Sequence, residues 1–284
     1  MSIPADAERD PLVRYLRAQQ YSDAEVKKLL RSAARASADI MSKSKGSTAG
    51  VRAAQLEIAR VQQDLWRDLG GTIEDGVRRA GDAASDSVRY LIEVHERSAG
   101  VTLLSDSALR DSLLQQGRQG IEAVLARGAN GVPLSQSVYR NQALTQGWVD
   151  SRINGMLASG SSARELASFV KGFIDPSTPG GTSYAAMRLG RTELNNAFHT
   201  ISRDHWDATP FVDKMKWHLS RSHPKTDKCD EYNGKTFPTN DVPDKPHPQC
   251  FCYITPEVED DDAFVRNYHA GKYDRWIDRQ LQNV

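Results

Sequence analysis

Cysteine is scarce in this chain of 284 residues: there are three. An odd number cannot all pair within one molecule, so at least one thiol stands outside any disulfide within the chain. Aromatic residues are only 7% of the total. Neither sign of charge dominates, since Lys plus Arg and Asp plus Glu each number 37. A strong pull toward nucleic acid is therefore not built into the chain as a whole, although local basic faces are not excluded. No apolar run approaches the roughly 20 residues of a membrane span. The opening MSIPADAERD has neither a basic n-region nor an apolar h-region. With three unpaired thiols, this gives the expectation of a reducing cytosol in which thiols stay free or bind metal. A G-x-S-x-G nucleophile elbow and a Gly-rich phosphate loop are both missing, which removes two common routes to catalysis.

What is present in quantity is helical pattern. Val51, Ala54, Ile58, Val61 and Leu65 recur in alternating steps of three and four, the seam of a coiled coil or long helical hairpin. Gly70-Gly71 is expected to break or kink it. The pattern resumes at Ile73, Val77, Ala80 and Ala84 and reaches Leu91. Ser22 with Glu25, and Ser162 with Glu165, each read as a capping box opening a helix. Leu109 to Leu125 and about 134 to 158 are further helices, with a turn at Asn130-Gly131 between them. Residues 175–183, DPSTPGGTS, read as a linker.

Beyond the linker, a helix is expected from about Tyr184 to Asp207, with Met187, Arg191, Leu194, Phe198 and Ile201 on one stripe. The period then changes. Lys214, Lys216 and His218 alternate with Met215, Trp217 and Leu219, as in a half-buried strand. Lys235 to Phe237 and Phe251 to Thr255 are two more candidate strands. The fold class is mainly α: an elongated helical region over 1–174, a linker over 175–183, and a small α+β domain over 184–258. An acidic run, read as a solvated surface, and a short helical tail close the chain over 259–284.

All three cysteines fall in one segment with two His-Pro pairs, which gathers His223, Cys229, His247, Cys250 and Cys252. Thiolate and imidazole are the ligands zinc prefers over magnesium or calcium. Cys250 and Cys252 are two apart, so in extended chain both face one side. Five candidates are present for a four-ligand site. The alternatives are a set of buried free thiols with histidines that cap turns, and a catalytic thiol. Arg191 and Glu193 are two apart on one helix and point to different faces, which suits an anchor better than a catalytic pair. Arg191, aimed inward, is expected to meet acids near the metal loop or strand-end carbonyls.

The ordered set Arg191-Thr192-Glu193, then Lys216-Trp217, then Asp227, Cys229 and Gly234, then His247-Pro248 with Cys250 and Cys252 resembles the carboxyl-terminal domain of phage Mu F-like minor head proteins, the phage head morphogenesis family. The resemblance covers roughly residues 184 to 256. Many members carry C-x2-C at the first cysteine position. Here Thr226 stands where the earlier cysteine would fall, and His223 is expected to substitute. The resemblance implies a structural, non-catalytic minor capsid protein of a tailed-phage head, acting through the portal protein. It implies a place inside the head near the portal, after assembly in the host cytoplasm, and in some members a role in DNA packaging or ejection. The partners it implies are the portal, the major capsid or scaffold protein, phage DNA and further copies of the chain. A second class stays open on the residues alone: a zinc-dependent nuclease or toxin-like effector. The feature that separates the two is a metal position left open to water beside a general base.

Overall fold

A computed structural model describes residues 11–128, 131–221, 223 and 226–282. The expected turn at Asn130-Gly131 lies in part outside them, as do Pro224 and the opening segment 1–10. Six helices come first: α1 (Pro11–Ser42), α2 (Thr48–Ala99), α3 (Asp106–Arg127), α4 (Leu134–Ala158), α5 (Ala163–Ile174) and α6 (Gly181–Asp207). A small α+β part follows: β1 (Val212–His218), α7 (Lys228–Tyr232), β2 (Thr236–Pro238), a single 3₁₀ turn, β3 (Tyr253–Val258), α8 (Asp261–His269) and α9 (Asp274–Gln282). The mainly helical class with a small α+β carboxyl-terminal part is therefore observed. Among the described residues no helix is long and apolar enough to cross a membrane.

Two expectations about helix ends are corrected. Ser22 does not cap a helix. It is buried inside the continuous α1, at the four-residue spacing that continues through Val26 and Leu30. Nothing before it breaks the helix, so the S-x-x-E pattern has no terminus to act on. Gly70-Gly71 does not interrupt α2, which runs 52 residues through the pair. Neither glycine takes a positive φ. The cost of glycine in a helix, about 1 kcal/mol each, is outweighed by the packed residues on either side. Leu65, Trp66, Leu69 and Ile73 are all buried. By contrast, Ser162 and Glu165 form the expected reciprocal cap of α5.

The chain divides into two compact units, each drawing on segments distant in sequence. One is built of three segments, residues up to Gln19, Val77–Ala129 and Thr192–Val284, and the other of two, Gln20–Gly76 and Asn130–Arg191. In the second unit, Val51, Ala54, Ile58 and Leu65 of α2 pack with Leu30 and Met41 of α1, Val149 and Ile153 of α4, and Leu166 and Val170 of α5. The Trp66 indole donates to the Thr145 hydroxyl at 3.0 Å, which satisfies both buried groups.

In the unit that carries the cysteines, the sheet order is β2-β1-β3 and both pairings are antiparallel. Met215 and Trp217 face the core, as the alternation requires. Val212 is also buried, three residues before Met215, and a register shift between Val212 and Lys214 accommodates the odd step. Trp217 lies opposite Ile254 on the inner face, while His218 and Tyr253 stack at 5.0 Å on the outer one. Phe211, Phe264, Tyr273 and Trp276 close the core from the carboxyl-terminal side. On the helical side, a side chain at Gly81 of α2 would run into Ile121 of α3 and Ile201 of α6. Glycine there sets how closely these helices approach.

Candidate metal centre

The first cysteine is placed by a short capped helix. Asp227 accepts a hydrogen bond from the Cys229 amide at 2.7 Å, and Asp230 accepts from the Asp227 amide at 2.7 Å. This reciprocal cap fixes α7 and turns Cys229 inward, fully buried. The other two cysteines come from the segment just before β3. Both are 1% exposed, so the two-residue spacing brings them to one side as expected.

Helix α6 holds that segment at three points. The Gln249 amide donates to the Thr192 hydroxyl at 3.1 Å. His199 Nε2 donates to the Pro243 carbonyl at 2.9 Å, and Arg203 donates to Asp244 at 2.7 Å. Gln249 itself has a φ of 59°, a left-handed conformation unusual for a residue with a side chain. The Thr192 bond lies on its amide, directly before Cys250.

The five expected residues come together. Cys229 Sγ is 3.5 Å from Cys250 Sγ and 3.6 Å from His247 Nε2. Cys252 Sγ is 4.0 Å from His223 Nδ1. Two overlapping groups, His223-Cys229-Cys252 and Cys229-His247-Cys250, each have their donor atoms within 4.8 Å of one another and could hold a metal ion. With a Zn–S bond of about 2.3 Å and a Zn–N bond of about 2.05 Å, a tetrahedron has edges of about 3.7 Å between sulfurs and about 3.5 Å from sulfur to nitrogen. The three separations given are close to those edges, so each group of three donors has the spacing that a metal ion needs.

The two histidines are held differently. His223 Nε2 donates to Asp230 at 2.9 Å, which leaves Nδ1 facing Cys252. This carboxylate-imidazole arrangement orients metal-binding histidines generally. His247 Nδ1 donates to the Pro248 carbonyl at 2.9 Å, and its Nε2 lies 3.2 Å from Asp227 as well as near Cys229. Its side chain is 33% exposed, against 10% for His223. Among the thiols, hydrogen bonding from Cys250 pulls Cys252 down to about 5, while burial pushes Cys229 up to about 12.

Arg191 is not directed to this cluster. The carboxylate that meets it is Asp23 of α1, with Nε 3.1 Å and Nη2 2.7 Å from Oδ2. Both residues belong to the other compact unit. Sequence spacing could not supply this partner, which lies 168 residues earlier. Glu193, on the far side of the motif, is 4% exposed. Trp217 is fully buried against His199 and Tyr232. Lys245 and Asp230 were missed as site residues, and Asp227 entered only as part of the motif that carries the resemblance. The D-K-C-D capping pattern was a legible signal for the two acids, but none pointed to Lys245. The acidic run is largely exposed, as expected, except for Glu259. That residue accepts from Asn267 at 2.6 Å and Tyr273 at 2.9 Å and pairs with Lys272.

No protein-family model, no curated protein and no solved structure matches the chain.

Proposed function

We propose that the chain is a structural minor head protein of a tailed bacteriophage, whose carboxyl-terminal part is stapled by one zinc ion. The ligands in this reading are His223, Cys229, Cys250 and Cys252. His247, with oxygens facing both ring nitrogens, serves as a neighbouring support. The bound ion supplies a cross-link between α7 and the strand β3, and no reactivity.

The observation that carries the reading is where the motif residues fall. Thr192 grips the cysteine segment, Trp217 fills the core beneath it, and the three buried thiols fall into two overlapping groups that share Cys229, each with one histidine. Residues scattered over more than 60 positions thus form one construction. With Cys229 shared between the two groups, the four donors of this reading would leave a tetrahedral ion no position for water, which favours a structural over a hydrolytic role. A nuclease or effector would need an open position beside a general base.

The test is mass spectrometry of proheads and virions made from the genome that encodes the chain, with pull-down against the portal protein encoded there. The expected result is a low-copy component of heads that is retained by the portal. Absence from both particles, together with metal-dependent cleavage of nucleic acid by the purified chain, would replace this reading with the effector one.

A further inference from the structure

Of the five tryptophans, Trp66, Trp206, Trp217 and Trp276 are buried. Trp148 of α4 is the exception, at 46% exposed. It stands in a row. Arg140, Leu144, Trp148 and Arg152 recur every four residues, so they follow one another down one side of α4. All four are exposed, Leu144 at 48%. The opposite side of α4 is fixed in the core through Thr145, Val149 and Ile153, so the row cannot turn inward. Beside it lies a second pair four residues apart, Phe169 and Phe173 of α5. The Phe173 ring meets the Trp148 ring edge-on at 6.4 Å and the Phe169 ring at 5.7 Å. These helices belong to one compact unit and together present an apolar platform. An exposed apolar patch of this kind marks an interaction surface, and Trp and Arg are enriched where binding energy concentrates.

The charges say what would cover it. Neither Arg140 nor Arg152 forms an ion pair among the described residues. The acids at the two ends of α5 are already engaged. Glu165 accepts from the Ser162 amide at 2.7 Å, and Asp175 accepts from the Ser177 amide at 2.9 Å. The row is therefore apolar in the middle and positive at both ends. From Arg140 to Arg152 is about 18 Å along the helix axis. We propose that this face of α4 and α5 docks an amphipathic helix of a partner protein, whose apolar residues recur every three or four positions and whose acids flank them about three turns apart. A second copy of the chain fits poorly. The same row laid against itself, in either direction, sets arginine against arginine. The proposal depends on neither the metal centre nor the phage reading.

The test uses the full-length chain and two labelled helical peptides of about 20 residues, long enough to span the row. One carries a leucine row flanked by glutamates, and the other has lysines in place of the glutamates. Binding is read by fluorescence anisotropy. The acidic peptide is expected to bind, and the basic one at least about 10-fold more weakly. Trp148→Ala and Leu144→Ala should each weaken the acidic peptide by about 10-fold or more. The double variant Arg140→Glu/Arg152→Glu should lose the acidic peptide and gain the basic one, a swap that misfolding cannot produce. Phosphatidylglycerol vesicles, a single-stranded thymidine oligonucleotide and sedimentation of the chain alone are the other arms. No binding of the acidic peptide, or unchanged binding in the charge-reversed variant, overturns the proposal. So does binding of vesicles or oligonucleotide, or self-association, that is lost in Trp148→Ala while the acidic peptide does not bind.

Discussion

Single residues in this chain are held by partners that sequence distance conceals. Arg191 shows this. Its inward aim was legible from the stripe of Met187, Leu194 and Phe198, but its acid is Asp23. The pair is neither fully buried nor free, with side chains 30% and 23% exposed. Arg191→Ala should therefore cost about 1–2 kcal/mol, less than the 3–5 of a fully buried pair. Urea melts of the two single variants and the Arg191→Ala/Asp23→Ala double variant would measure the coupling. Coupling near zero would contradict the anchor role. His205 is a second case. It is buried with Nε2 3.3 Å from Ser85 Oγ, and burial lowers its pKa to about 4. The unfolded chain takes up that proton near 6.5, so the folded state holds fewer protons between the two values. Stability should be full above pH 6.5 and fall by about 3 kcal/mol as pH drops toward 4. His205→Gln should flatten that part of the stability-pH profile, and an unchanged slope would argue against it.

At the scale of elements, periodicity carried most of the information. The seam from Val51 to Leu91 marked the helical stretches on either side of Gly70-Gly71, and the alternation from Lys214 marked the central strand of the sheet. Both patterns arise because burial imposes the period of the element on the sequence. Single-residue punctuation misled where packing opposed it, at Ser22 and at Gly70-Gly71. The cysteine site was legible as a ligand set because Cys and His are rare here. Its supports were not, because Thr192, His199 and Arg203 look like ordinary helix residues until α6 lies against the 242–249 segment. Thr192→Val keeps the size and removes the bond to Gln249. It should lower stability by about 1–2 kcal/mol and loosen Cys250, with weaker zinc binding as a second readout. Wild-type stability and affinity in that variant would show that the clamp is incidental. Cys229→Ser should unfold 212–258 with most of the helical circular dichroism retained, since a structural metal supplies folding energy locally.

Over the whole molecule, position along the chain and position in space diverge. The stretch 175–183 reads as a linker in the sequence, whereas α6 already opens at Gly181 and each compact unit gathers distant segments. Tyr15, near the start, stacks on Phe198 at 4.2 Å and donates to Asn195. Gly81 of α2 is packed against Ile201. A fragment of residues 1–174 would keep its helices but lose these partners, so amide exchange over 77–127 should be fast in the fragment and slow in the full chain. Slow exchange in both would mean that the helices are held without α6. The central claim, that a zinc ion staples α7 to β3, is tested most directly by metal analysis of the purified full-length chain combined with thermal unfolding in chelator. The account predicts about one zinc per chain, with loss of the sheet signal and a lower melting temperature once the metal is removed. A chain purified without metal, melting at the same temperature with and without chelator, would contradict it.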